Sequence, residues 1–216
     1  MIPLRALLQR RSTPAMTLLI IALNVLFFLY EMLLPGYVRE SFIEHYALIP
    51  DRLNLTMFVT SMFLHGGWLH LIGNMWFLWV FGSHIEDIMG SAKYVVFYLI
   101  SGIASAALQF ITSLGSPIPT IGASGAIAGV MGAFLVLYPR VRVVTLIFVF
   151  FFITTVDIPA AFMLIYWFFI QLVSGLGALS SVAQAQSIAW FAHVGGFLAG
   201  IVFVRLFLNN RPRYLY

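Results

Sequence analysis

Cysteine is absent from the 216-residue chain, which excludes disulfides and thiolate metal sites and says nothing about compartment. Charge is scarce. Asp, Glu, Lys and Arg make up 8% of the residues, against roughly a quarter in soluble domains. Together with a hydrophobic content of 62%, that scarcity excludes an ordinary soluble fold. No basic stripe with interleaved aromatics is present, so nucleic acid is not an expected partner. The alternating segments of about ten residues that mark a membrane barrel are missing too. An H-E-x-x-H pair and an aspartate pair within an apolar run are both absent, which speaks against metal-dependent and aspartyl hydrolysis. No metal and no cofactor is expected. What the chain does have is long apolar runs, and these predict an all-α polytopic membrane protein.

Six runs are long enough to cross or nearly cross a bilayer: 16–34, 68–87, 92–113, 123–138, 159–177 and 188–208. Residues 1–15 form a short tail and 209–216 another, and 37–64 is a mixed, polar connection expected on the membrane surface. Asp157 suits an N-cap for the fifth run, with Pro159 in its first turn. Residues 141–156, rich in β-branched and aromatic side chains, could be a seventh span or a surface-embedded connection. Charge placement decides between the two. With six spans, Arg5, Arg10, Arg11, Lys93, Arg140, Arg142, Arg205, Arg211 and Arg213 share the side of both termini, and only Arg39 and Arg52 lie opposite. That asymmetry fits the positive-inside bias, so six spans, cytoplasmic termini and an inner-face connection over 141–156 are predicted.

The stretch TIGASGAIAGVMGA, residues 120–133, holds one hydroxyl with nucleophile potential, Ser124, framed by Gly122 and Gly125. Gly125, Ala128, Gly129, Gly132 and Ala133 make a small-residue face at helical spacing. A serine in a membrane helix ordinarily packs or bonds back to a carbonyl. Its depth argues for more. The fourth run covers roughly 24 Å of a core about 30 Å thick, so Ser124 sits roughly 6 Å below the outer surface and the loop before it must dip inward. Irregular backbone at that depth must be buried in protein or line a wet cavity. His193 lies roughly 8 Å deep in the sixth run and Asn74 roughly 9 Å deep in the second, so the three share a level. Gly196 and Gly200 stand at i+3 and i+7 from His193 and let the sixth helix approach the small face of the fourth.

These residue types suit acyl transfer: a hydroxyl, an imidazole base, and donors for the oxyanion. His70 and Asn74 are i, i+4 and share a face, so both can supply donors, alongside the backbone N–H of Ser124; the bland alternative is polar glue between helices. His65 reads as structural or as a pocket rim, and His45 and His84 as surface or cap residues. None of the seven carboxylates, Glu31, Glu40, Glu44, Asp51, Glu86, Asp87 and Asp157, is placed to complete a triad, so a Ser–His dyad is expected. His65 and His70 are five apart and straddle a helix face, a poor metal pair.

The segments HGGWLHLIGN (65–74), GASGAIAG (122–129) and AHVGGFLAG (192–200), in that order on three spans, resemble the rhomboid family of intramembrane serine proteases. The resemblance covers nearly the whole chain and implies a six-transmembrane-helix bundle over 16–208. It implies Ser124 as nucleophile, His193 as general base, Asn74 and His70 as oxyanion donors, and His65, Gly122, Gly125, Gly196 and Gly200 as structural residues. Glu86 matches an acidic residue with a structural role at the inner end of the second span. The Trp–Arg pair that many relatives carry in the first loop is replaced by Thr56 and Met57, and the aromatic that stacks on the histidine in some relatives by Ala128. The implied partners are the lipid bilayer and transmembrane protein substrates, passing the fifth helix near Tyr166, Trp167, Phe168 and Phe169, which could equally be lipid-facing bulk. The loop 180–187 would act as a lid. A bacterial inner membrane fits the minimal tails and the lack of a transit peptide. A non-catalytic relative and a small transporter are the competing readings.

Overall fold

The computed structural model describes residues 1–149, 152–180 and 189–208. Residues 181–187 of the proposed lid and the C-terminal tail from 209 lie outside these residues. A strand β1, Ile2–Ala6, is followed by helix α1, Ala15–Leu33, then α2, Gly36–Tyr46, and a short turn of helix α3, Met57–Thr60. Helix α4, Trp68–Phe77, runs through a π-turn at Leu78–Gly82 into α5, Ser83–Met89. Helices α6, Ser91–Thr112, and α7, Ser124–Leu137, precede a hairpin of β2, Arg142–Val149, and β3, Phe152–Pro159. Helices α8, Ala160–Ser180, and α9, Trp190–Phe203, complete the order.

Among the described residues four helices are long and apolar enough to cross a membrane: Ala15–Leu33, Ser91–Thr112, Ala160–Ala178 and Trp190–Phe207. Helix α7 is shorter, at 14 residues, and is the hub of the bundle. Every residue from Gly125 to Phe134 is buried. Small side chains make this possible. A Cβ built on Gly196 would lie 1.9 Å from the carbonyl oxygen of Gly125, and one on Gly200 1.9 Å from that of Gly129. α7 and α9 therefore meet backbone to backbone along the glycine stripes. Gly125 and Gly129 also receive the side chains of Ser105 and Ser101 from α6.

The end of the bundle away from Ser124 is held by the buried Glu86, its half-buried neighbour Asp87 and a sheet. Helix α1 starts after Pro14 with no side-chain cap of its own. Its first amides are taken by Glu86 instead: Met16 N–H donates to Oε1 at 2.9 Å, and Thr17 N–H and Oγ1–H donate to Oε2 at 2.8 Å. A carboxylate there satisfies orphan donors and complements the helix dipole. The neighbouring Asp87 accepts from the amides of Arg11 and Ser12. This accounts for the structural part assigned to Glu86.

The structure adds two features and corrects two expectations. The connection after α7 contains two strands, 142–149 and 152–159, paired antiparallel in register from Arg142 opposite Pro159 to Val149 opposite Phe152. The N-terminal tail is ordered as β1 and pairs with β2, giving the order β1-β2-β3. The run's β-branched and aromatic composition is what a pleated, half-buried strand favours. Asp157 is not a helix cap: it lies within β3 opposite Val144, and α8 begins three residues later, with Ala160 N–H donating to Val141 O at 2.8 Å. His84 is not a surface residue but 7% exposed, its ring edge-on to Phe134 at 6.0 Å.

Candidate active site

The loop before Ser124 is stitched into the protein by its backbone. Leu48 and Thr120 exchange N–H···O bonds at 3.0 and 2.8 Å, and Gly122 N–H donates to Ser61 O at 2.9 Å. Ala123 is fully buried. This irregular chain thus has its polar groups satisfied by other segments. The loop delivers Ser124 as the first residue of α7, where the first-turn amides have no partner within the helix.

His193, in the first turn of α9, reaches this serine from 69 positions away. Its Nε2 lies 2.8 Å from Ser124 Oγ. The start of α9 is pinned by Ala192 N–H donating to Gln109 Oε1 of α6 at 3.1 Å. The imidazole lies 5.8 Å from the Trp167 ring and 6.4 Å from the Trp190 ring, centroid to centroid. Two tryptophans, Trp167 from α8 and Trp190 from the start of α9 itself, therefore flank the ring where Ala128, itself fully buried, has no aromatic to offer.

Asn74 and His70 face the same space. Both line, with Ser124 and His193, an open cavity of about 770 Å³ between α4, α7 and α8, whose walls include Trp68, Phe77, Met131 and Trp167. Gly122 adopts φ +123°, a backbone conformation that favours glycine, and a Cβ there would fall 2.7 Å from His70 Nε2 and 3.5 Å from Asn74 Nδ2. The glycine thus leaves room for both donors two residues from the serine. Gly66 N–H donates to His70 Nδ1 at 3.4 Å, which leaves the proton of that ring on Nε2, facing the cavity. Asn74 Nδ2 donates to His65 Nε2 at 3.1 Å. His65 precedes α4, is fully buried, and has its pKa pushed down to about 4, first by burial and then by the nearby His70. A neutral His65 is what the contact needs, because a protonated ring could not accept from the amide.

Of the residues singled out from the sequence, Ser124, His193, Asn74 and His70 line this cavity, His65 and Gly122 stand behind Asn74 and His70, and Gly125, Gly196 and Gly200 lie on the α7–α9 seam. The substituted loop pair is packed differently from an aromatic–arginine pair. Thr56 bonds to Asn54 Oδ1 through its amide at 3.0 Å and its hydroxyl at 2.8 Å, and Met57 is buried against Leu48 and Ala106. Of the aromatics left open between a route lining and lipid-facing bulk, Trp167 stands against the imidazole. One residue at the site was missed. Gln171, one turn further along α8, places Oε1 2.7 Å from His193 Nδ1. The signal in the sequence is a lone amide in the apolar run FMLIYWFFIQLV.

Comparison with known proteins agrees with the motifs. The Rhomboid domain family profile matches residues 52–210. The chain is 32% identical over 130 residues to Rhomboid protease GluP of Bacillus subtilis, covering 58% of this chain and 25% of that protein. It is 31% identical over 167 residues to RHOMBOID-like protein 5 of Arabidopsis thaliana, covering 73% of this chain and 45% of the relative. With Rhomboid protein 1, mitochondrial, of Saccharomyces cerevisiae it shares 28% identity over 149 residues, 67% of this chain and 40% of the other. The chain spans between a quarter and just under half of the length of these relatives. It belongs to the rhomboid family.

Proposed function

We propose that this rhomboid-family chain is an intramembrane serine endopeptidase that hydrolyses a peptide bond in or near a transmembrane segment of a membrane protein. The observation that carries this reading is the 2.8 Å contact between Ser124 Oγ and His193 Nε2, at the wall of an open cavity in an otherwise apolar bundle. Ser124 Oγ attacks the scissile carbonyl while its proton passes to His193 Nε2. The resulting oxyanion is met by His70 Nε2–H, Asn74 Nδ2–H and the free first-turn amide of Ser124. His193 then protonates the departing amine, and a water activated by the same imidazole cleaves the acyl-serine.

The membrane arrangement follows six spans: α1, the interrupted α4–α5, α6, α7, α8 and α9. Helix α7 is roughly 21 Å long, short of a core about 30 Å thick, so its first residue lies inside the membrane profile. The sheet and the basic residues of β1 and β2 then belong to the side of both termini, which the positive-inside bias makes cytoplasmic. The cavity opens on the opposite side.

The test is cleavage of a reporter membrane protein together with fluorophosphonate labelling of the full chain. Wild type cleaves and is labelled at Ser124. Ser124→Ala and His193→Ala abolish cleavage while inserting and purifying normally. Full activity in either variant removes the dyad.

A further inference from the structure

We propose that Gln171 is the positioning residue of the site: its side-chain oxygen holds His193 in the tautomer that leaves Nε2 free to take the serine proton. The inference rests on the reading of Ser124 and His193 as nucleophile and base. A neutral imidazole carries one proton and can carry it on either nitrogen. Only with the proton on Nδ1 does Nε2 present a lone pair to Ser124 Oγ–H. In the other tautomer Nε2–H points at the hydroxyl, and proton transfer cannot start.

The contact at Nδ1 therefore decides whether the base is competent. Gln171 Oε1 sits 2.7 Å from that nitrogen, on a side chain only 6% exposed. An amide could in principle face the ring with either end, and its orientation is set by its other partner. Gln171 Nε2 lies 3.4 Å from the backbone carbonyl of Trp167, one turn earlier on α8. A carbonyl only accepts, so the amino group turns to it and the oxygen turns to the imidazole, where it accepts from Nδ1–H. The Trp167 indole, one turn earlier on the same helix, flanks the imidazole at 5.8 Å and limits its swing.

This arrangement does the orienting work of a triad carboxylate without burying a charge. An ionised acid at this depth in a membrane is expensive, and a neutral amide is not. The two carboxylates of α5, Glu86 and Asp87, are engaged near the start of α1, at the other end of the bundle. The Nδ1 proton stays on His193 throughout. The proton that moves goes from Ser124 Oγ to Nε2 and on to the leaving amine.

Three variants of the full chain test the proposal: Gln171→Met, near in shape but without the acceptor; Gln171→Glu, which keeps an oxygen at the same reach; and Gln171→Asn, which keeps the amide but withdraws it. Steady-state cleavage of the reporter is read as kcat and KM across pH. Nitrogen-15 spectra of the imidazoles, assigned with His193→Ala, read the tautomer directly. In wild type His193 carries its proton on Nδ1. In Gln171→Met and Gln171→Asn the spectrum becomes a mixture, and kcat falls roughly 10- to 100-fold, within what base catalysis supplies, with KM within about twofold. Gln171→Glu keeps kcat within several-fold of wild type and moves the acid limb of the pH profile to higher pH, since a carboxylate favours the imidazolium. His70 lines the same cavity, so the limb is assigned by repeating the profile in His70→Asn.

An unchanged tautomer or an unchanged kcat in Gln171→Met overturns the proposal. So does a loss of thermal stability that accounts for the lost activity and is not rescued by Gln171→Glu. If wild type neither cleaves nor is labelled at Ser124 while the Nδ1–H tautomer is present and is lost in Gln171→Met, the protease reading fails and the positioning contact stands.

Discussion

His65 shows how a residue with no place at the cavity wall governs one that has. It lies buried beneath Asn74 and accepts from its amide at 3.1 Å, so the direction of that amide depends on the ring remaining neutral. Above pH 6.5, the ordinary histidine value, the ring is neutral whether the chain is folded or not. Between 6.5 and about 4 the unfolded chain takes up a proton that the folded one refuses. Stability therefore falls as pH drops through that window, by on the order of 1.4 kcal/mol per pH unit, and levels off below it. Thermal unfolding against pH checks this, and His65→Gln is expected to remove its share of the slope. For Asn74 itself, Asn74→Ala is expected to lower kcat roughly 10²- to 10³-fold with KM little changed, as for loss of one oxyanion donor. A loss under about threefold would assign the amide to packing alone.

Among the helices, the α7–α9 seam sets the distance between Ser124 and His193. Ser124 and His193 begin their helices side by side because the glycines that follow admit no side chain between the two backbones. A Cβ at Gly200 would come 1.9 Å from a backbone oxygen, which cannot rotate away. Gly200→Ala is therefore expected to cost about 1–3 kcal/mol and to slow labelling of Ser124 as the helices part. Gly36, with nothing within 4 Å of its Cβ position, serves as the control, and Gly36→Ala should stay within about 0.5 kcal/mol. Thermal unfolding and probe-labelling rate, measured together, read both effects. On α4–α5 the π-turn keeps Asn74 toward the cavity and Glu86 toward the start of α1 on what would otherwise be one continuous helix.

At the scale of the whole molecule, the bundle has a chemical end and a tethered end. Ser124, His193, Asn74 and His70 occupy the first. The three-stranded sheet, Glu86 and Asp87 occupy the second, where Trp76 Nε1–H also donates to the carbonyl of Pro3 in β1. Deleting residues 1–7 removes an outer strand and that bond, so it is expected to lower the thermal midpoint while Ser124 remains reactive to a fluorophosphonate. The absence of cysteine makes the proposed six-span topology directly testable. Single cysteines introduced at Arg10 and Arg140 should be blocked from one side of the membrane by an impermeant thiol reagent, and one at Arg52 from the other. Accessibility of all three from the same side would refute the arrangement.

The membrane class, the helical runs and the constellation of Ser124, His193, Asn74 and His70 were legible without coordinates. Composition sets the solvent, i+4 spacing sets a shared face, and residues counted from a span's end set depth; all three are local properties. The hairpin was hidden because an apolar, β-branched run can be a buried strand or a lipid-facing segment, and its pairing with residues 2–6 joins parts of the chain far apart in sequence. His84 and Asp157 were misplaced for a related reason: polarity alone does not say what packs over a side chain. Whether an amide on α8 meets an imidazole on α9 depends on the rotation of each helix about its axis. That rotation is decided only when every face of the bundle finds its neighbour, so Gln171 became part of the site through tertiary packing.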